Sequence, residues 1–169
     1  MSVTKPKAGD QKNAADFTSY VTFRLDLLKT EMNRRANLLY RREFDLNVRS
    51  LRVLRAICDV PGRTSSEVRE LTLIEKTLLS KVVADLIERK LVRRTIHPED
   101  ARHYQLWPTP DGKRTRAASD KIGHSLEQQM LLSVLSAAEL DELHRILGKL
   151  ANGLRASARN EKNDASKPE

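Results

Sequence analysis

The stretch from Thr64 to Trp107 constrains the fold of this chain most: TSSEVRELTLIEKTLLSKVVADLIERKLVRRTIHPEDARHYQLW. It opens on Thr64-Ser65-Ser66-Glu67. At that spacing the hydroxyl satisfies an early helix amide and the carboxylate reaches back to the capping residue, so a helix begins there. A second Thr-x-x-Glu, Thr72 to Glu75, predicts the start of a longer helix to about Arg89. In this second helix Leu79, Val82, Val83 and Leu86 fall at i, i+3, i+4 and i+7, the spacing of one buried face. The opposite face carries Lys76, Thr77, Leu78, Ser80, Lys81, Ala84 and Asp85. Val92–His97 and His103–Trp107 then read as two strands around a charged turn, Pro98–Arg102. Two capped helices followed by a hairpin is the order of a winged helix-turn-helix. That unit lays its second helix in the major groove of DNA and its hairpin on the adjacent minor groove.

Longer helices flank this middle. Residues 1–15 are polar and read as a flexible arm, and residues 156–169 read as a disordered tail. Between Asp16 and Tyr40 the apolar stripe Phe17, Val21, Leu25, Leu28, Met32, Ala36, Leu39 predicts a helix with coiled-coil-like spacing. Asn47 is placed as the N-cap of a helix ending near Asp59, before Pro61-Gly62, with Leu46 and Leu51 as its hydrophobic staple. Thr109-Pro110 sets a cap and an N1 proline for a helix to about Leu135. Ser136-Ala137-Ala138-Glu139 is a third capping box, followed by Leu140, Leu143, Leu147, Leu150 and Leu154. The expected fold class is mainly α with a small β wing: one domain over 16–155, with a winged helix-turn-helix at about 44–109. Helices at about 16–40 and 110–155 would meet their copies in a homodimer, spacing two reading heads by ~34 Å. An intramolecular bundle is the alternative use of those stripes.

Charge agrees with a polyanionic partner. The net charge is +8 and the pI about 9.8. The excess is uneven, +5 over residues 1–60 against +2 over 61–110 and +1 over 111–169, so placement matters more than the total. A single cysteine, Cys58, excludes an intrachain disulfide. The N-terminus has no apolar signal region and no run approaches the ~18 residues of a membrane span, which predicts a cytoplasmic chain without membrane contact. GxGxxG, P-loop, HExxH and CxxC motifs are all missing from the sequence, so neither an enzyme nor a cofactor is expected. His97, Glu99, Asp100 and His103 cluster in the turn, but their irregular spacing on an exposed hairpin does not suit a metal.

From Phe44 to about Arg116 the chain resembles the MarR family of transcriptional regulators. FDLNVRSLRVL resembles the family's entry to its second helix, and LTLIEKTLLSKVVADLIERKLVRR its recognition helix and following strand. HPEDARHYQLWPTPDGK resembles its wing, with the Asp-x-Arg turn at Asp100-Ala101-Arg102 and the Thr-x-x-Gly of the fifth helix at Thr109 to Gly112. The resemblance implies a ligand-responsive repressor that binds a pseudo-palindromic operator as a dimer. A small anionic or aromatic effector would bind between the dimerisation helices and the reading head, with Arg24, Arg34 and Arg35 as candidate anchors. Two positions depart from the family's glycines: Lys90 after the recognition helix, and Asp45 before Leu46. At Lys90 a left-handed backbone would be strained.

On that reading Lys76, Thr77, Leu78, Ser80 and Lys81 supply the cationic, short polar and methyl-bearing side chains that base edges require. Leu78 suits a thymine methyl or packing on the preceding helix, and Glu75 is assigned to capping. Arg102 would enter the minor groove, where narrow A·T tracts concentrate negative potential, and Asp100 would orient the turn by pairing with Arg94 or Arg102. Arg94 and Asn47 join the contact set, and Arg41, Arg42, Arg49 and Arg52 would clamp phosphates. Two alternatives stand beside double-stranded DNA as partner: a winged helix used as a protein-interaction module, and a redox-responsive regulator acting through Cys58, whose bland role is core packing.

Overall fold

The computed structural model describes residues 16–96 and 104–164. The expected arm at 1–15 and the Pro98–Arg102 turn lie outside those residues. A single 3-10 turn, Phe17–Ser19, precedes helix α1, Val21–Phe44. The expected helix over Asp16–Tyr40 is therefore displaced at both ends. Asp16 takes the Thr18 amide and hydroxyl at 3.1 and 2.6 Å, a local alternative to the helical ladder that delays the start. The end comes late because the chain turns out only where Asp45 adopts φ 53°.

Helix α2, Val48–Asp59, begins as the sequence predicts, with Asn47 Oδ1 accepting from the Ser50 amide at 2.9 Å. The staple residues Leu46 and Leu51 are both buried. Strand β1, Arg63–Thr64, leads into α3, Ser65–Thr72, where the Thr64/Glu67 capping box is complete. Helix α4 spans Lys76–Glu88, and strands β2, Val92–Ile96, and β3, Tyr104–Pro108, follow it. The sheet is antiparallel in the order β1-β3-β2, with Arg94 opposite Leu106 and Arg63 joining β3 at the same residue. β1 was not foreseen, since two residues show no alternation.

The core of the head is formed by Leu51, Leu54 and Ile57 of α2, Val68 of α3, Leu86 of α4, Val92 of β2 and Leu106 of β3, all fully buried. Burying a leucine or isoleucine side chain contributes about 1.5–3 kcal/mol, so this cluster fixes how α4 sits on α2. Helix α5, Pro110–Leu132, starts as expected: Thr109 Oγ1 accepts from the Gly112 amide at 3.0 Å and reaches the Lys90 carbonyl at 2.7 Å. Gly112 is pressed so closely on the Leu91 carbonyl oxygen that a Cβ there would collide with it. The Thr-x-x-Gly motif thus fastens α5 to the end of α4.

Helix α6, Ala137–Asp164, opens at the third capping box, where Ser136 Oγ and amide both engage Glu139. The disordered tail expected from residue 156 is corrected here, because the helix continues to Asp164. No glycine or proline interrupts the chain between Gly153 and Pro168, so nothing in the backbone stops the ladder. The chain divides into two compact units, Met1–Ser119 and Asp120–Glu169, with the boundary inside α5. Among the described residues no helix is long and apolar enough to cross a membrane.

Candidate nucleic-acid interface

The start of α4 differs from the sequence expectation. Thr72 is not a cap but the last residue of α3: buried, with its hydroxyl donating to the Val68 carbonyl at 2.7 Å. Leu73 then takes φ 55°, and α4 begins at Lys76. Glu75 occupies the N-cap position without a side-chain capping bond, so its assignment to capping is also corrected. An α-helix leaves its first amides without intrahelical acceptors, and here no side chain covers them. This open, positively polarised end suits a phosphate.

The inner face of α4 is as read: Leu79, Val82, Val83 and Leu86 are buried. Lys76, Thr77, Ser80 and Lys81 are exposed, and neither lysine enters an ion pair among the described residues. Ser80 Oγ donates to the Lys76 carbonyl at 3.0 Å, which occupies its proton and leaves the oxygen free to accept. Leu78 is half-buried on the wall between two clefts.

Those clefts carry most of the remaining candidates. The larger, about 570 Å³, lies between α1, the start of α2 and the α3–α4 turn. Lys29, Arg41, Arg49 and Arg52 line it with the amides of Asn33, Asn37 and Asn47, against Glu75 as the acid in the lining. Asn37 Oδ1 accepts from the Val48 amide at 2.8 Å and so pins α1 to the start of α2. The smaller cleft, about 330 Å³, shares Arg41, Asn47, Arg49 and Leu78 and adds Lys81. Arg41 and Arg49 are thus brought beside the recognition face, whereas Arg42 is held by Glu43 at 2.8 Å.

In the wing, Arg102 and Asp100 fall outside the described residues, as do His97, Glu99 and His103. Arg94 stacks its guanidinium 4.9 Å from the centre of the Tyr104 ring, a partner the sequence reading missed. A pattern of strand positions does reveal it: Tyr104 pairs with Ile96 across the strands, diagonal to Arg94. The effector candidates are engaged locally. Arg34 and Arg35 both bind Glu31, at 2.8 and 2.9 Å, and Arg24 donates to the Thr18 carbonyl. The hydrogen bond from Arg34, then that from Arg35, holds the Glu31 carboxyl well below its ordinary value, at about 2. Cys58 is half-buried rather than sealed in the core.

Also missed was the bridge at the end of α4. Arg89 binds Asp85 and Asp45, each at 2.8 Å, and joins the recognition helix to the residue that ends α1. Its hydrogen bond is the main reason the Asp45 carboxyl titrates below its usual range. Lys90 does take the left-handed backbone, at φ 58°.

A model described as the MarR family matches residues 44–103. The transcriptional regulator HosA of Escherichia coli O111:H- is 32% identical over 108 residues, 64% of this chain and 79% of HosA. Wild-type apo MarR from E. coli superposes with a TM-score of 0.70 at 20% identity, covering 78% of this chain and 96% of MarR. The S. aureus MepR–DNA complex gives 0.68 at 20% identity, over 79% and 98%. Fold and relatives together define a winged helix-turn-helix transcriptional regulator. The chain belongs to the MarR family.

Proposed function

We propose that this protein is a sequence-specific, ligand-responsive repressor that binds a pseudo-palindromic duplex as a homodimer. The uncapped start of α4 carries this reading: it presents Lys76, Thr77, Ser80 and Lys81 to solvent on a helix whose other face is locked into the core. Lysine and the short hydroxyls would meet base edges and phosphates, and Leu78 a thymine methyl. Arg41 and Arg49 would hold the backbone at one end of that helix, with Arg52 and Asn47 beside them, and Arg42 would join them on leaving Glu43. Arg94, stacked on Tyr104, and Arg102 would follow the minor groove at the other end.

The flanking helices would supply the dimer. Val21 and Leu28 of α1, and Leu147, Leu150 and Leu154 of α6, are exposed at helical spacing. Apolar stripes of that length are suited to a second copy. An anionic effector would bind between the dimerisation helices and the head, with Arg24, Arg34 and Arg35 of α1 as candidate anchors that would have to leave Thr18 and Glu31. A ligand held there would favour a head spacing that no longer fits the operator.

Selection of duplexes from a random pool tests the reading. The expected product is an inverted repeat with half-site centres about 10 base pairs or a multiple apart, bound by two chains. A pool that never enriches beyond non-specific sequence would contradict it.

A further inference from the structure

Three described non-glycine residues hold a positive φ: Asp45, Leu73 and Lys90. Asp45 gains a partner there in Arg89, and Lys90 extends a solvated chain. Leu73 ends α3 there, its amide donating to the Arg69 carbonyl at 2.9 Å, but its side chain is left in solvent. At φ 55° it bears the steric cost of the left-handed region, and its apolar side chain is 89% exposed. The turn around it is clamped, since Thr72 is buried with its hydroxyl bonded to Val68, and Ile74 is buried in turn. Leu73 is therefore held outward by its neighbours. The helix end thus sets an apolar side chain in solvent beside the start of α4.

Its surroundings indicate the use. Leu73 stands three residues before Lys76, on the rim of the cleft that carries Lys29, Arg41, Arg49 and Arg52. A polyanion laid along those cations would present its charged phosphates to them and its apolar sugar edge between them. We propose that Leu73 is a DNA-contacting residue that packs against the deoxyribose edge of the strand passing the start of α4. The inference rests on the DNA-binding reading above and adds to it a contact that is neither ionic nor base-specific. Such a contact strengthens binding without releasing counterions.

Titration of a pool-selected duplex by the full chain and by Leu73→Gly, Leu73→Asn and Leu73→Met, with thermal melts of each protein, tests the proposal. Glycine and asparagine both tolerate the left-handed backbone, so their melting temperatures should hold or rise by about 2–4 °C. Their affinity should nonetheless fall about tenfold at fixed salt. The slope of log K against log salt should stay that of the unsubstituted chain, and Leu73→Met should bind within about threefold of it. Affinity retained by Leu73→Gly and Leu73→Asn would overturn the contact, as would a methionine variant that loses as much as they do. Lowered melting temperatures in both would assign Leu73 to the fold instead. An unsubstituted chain that bound no duplex would overturn the DNA-binding reading, and this contact with it.

Discussion

The reading head and the helices that flank it are written with the same device, an apolar stripe at helical spacing, and the structure uses it in opposite ways. In α2 and α4 the stripe residues Leu51, Leu54, Val82 and Leu86 are buried within the chain. In α1 and α6 the corresponding residues Val21, Leu28, Leu147 and Leu150 remain exposed. Directional bonds tie only the near ends of the flanking helices to the head: Asn37 of α1 accepts from the Val48 amide, and Thr109 at the start of α5 accepts from Gly112 and donates to the Lys90 carbonyl. A periodic stripe therefore shows that a helix has a face to cover. Whether the cover comes from the same chain depends on the caps and close approaches around it.

The largest effect that would sharpen this contrast lies at Gly112. Replacing it with alanine drives a methyl into the Leu91 carbonyl and should cost about 3 kcal/mol, a fall on the order of 10 °C in Tm. A Gly112→Ala protein that melted like the parent would show that α5 is not docked so tightly. In the flanking helices the expected loss is in association. Val21→Ala with Leu28→Ala should raise the dimer Kd about 10- to 100-fold by sedimentation, with the head's helical signal intact. Unaltered association would mean these stripes are not the interface. Lys90→Gly should be smaller still: neutral, or stabilising by up to about 1 kcal/mol, because glycine takes φ 58° without strain. A clear drop in Tm would show that Lys90 contributes something beyond its backbone.

The smallest effect is electrostatic. The Glu31 pKa is depressed to about 2 in the folded chain, first by Arg34 and then by Arg35. A depressed acid contributes stability above its ordinary pKa and loses it as pH falls through the folded one. Glu31→Gln should therefore differ slightly from the parent at neutral pH and converge with it between pH 4.5 and about 2. The pair is exposed, so the difference should be only just resolvable in melts against pH. A gap that widened on acidification would reverse the sign and contradict the pairing.

Much of the head, and the starts of α5 and α6, was legible because those signals are local and chemical. Asn47, Thr64 with Glu67, Ser136 with Glu139, and Thr109 with Gly112 each bond as their spacing predicts. The second Thr-x-x-Glu misled for a physical reason: once Val68 and Thr72 are buried, the Thr72 hydroxyl finds the Val68 carbonyl and has no helix start to cap. The left-handed turn at Leu73 leaves no mark in the sequence, because leucine does not advertise that backbone. The partners of Arg89 and Arg94 depend on tertiary register, which spacing alone does not carry. The length of α6 was underestimated because a polar run can remain helical when nothing breaks it.

The central claim is that the outward face of α4 meets the duplex. Binding of the selected duplex by the chain and by Lys76→Ala/Lys81→Ala, measured across a salt series, tests it most directly. Each lysine that neutralises a phosphate contributes about 0.9 to the slope of log K against log salt, so the double variant should lose roughly 1.8 along with most of its affinity. A slope and affinity equal to those of the parent would place the duplex elsewhere on the molecule.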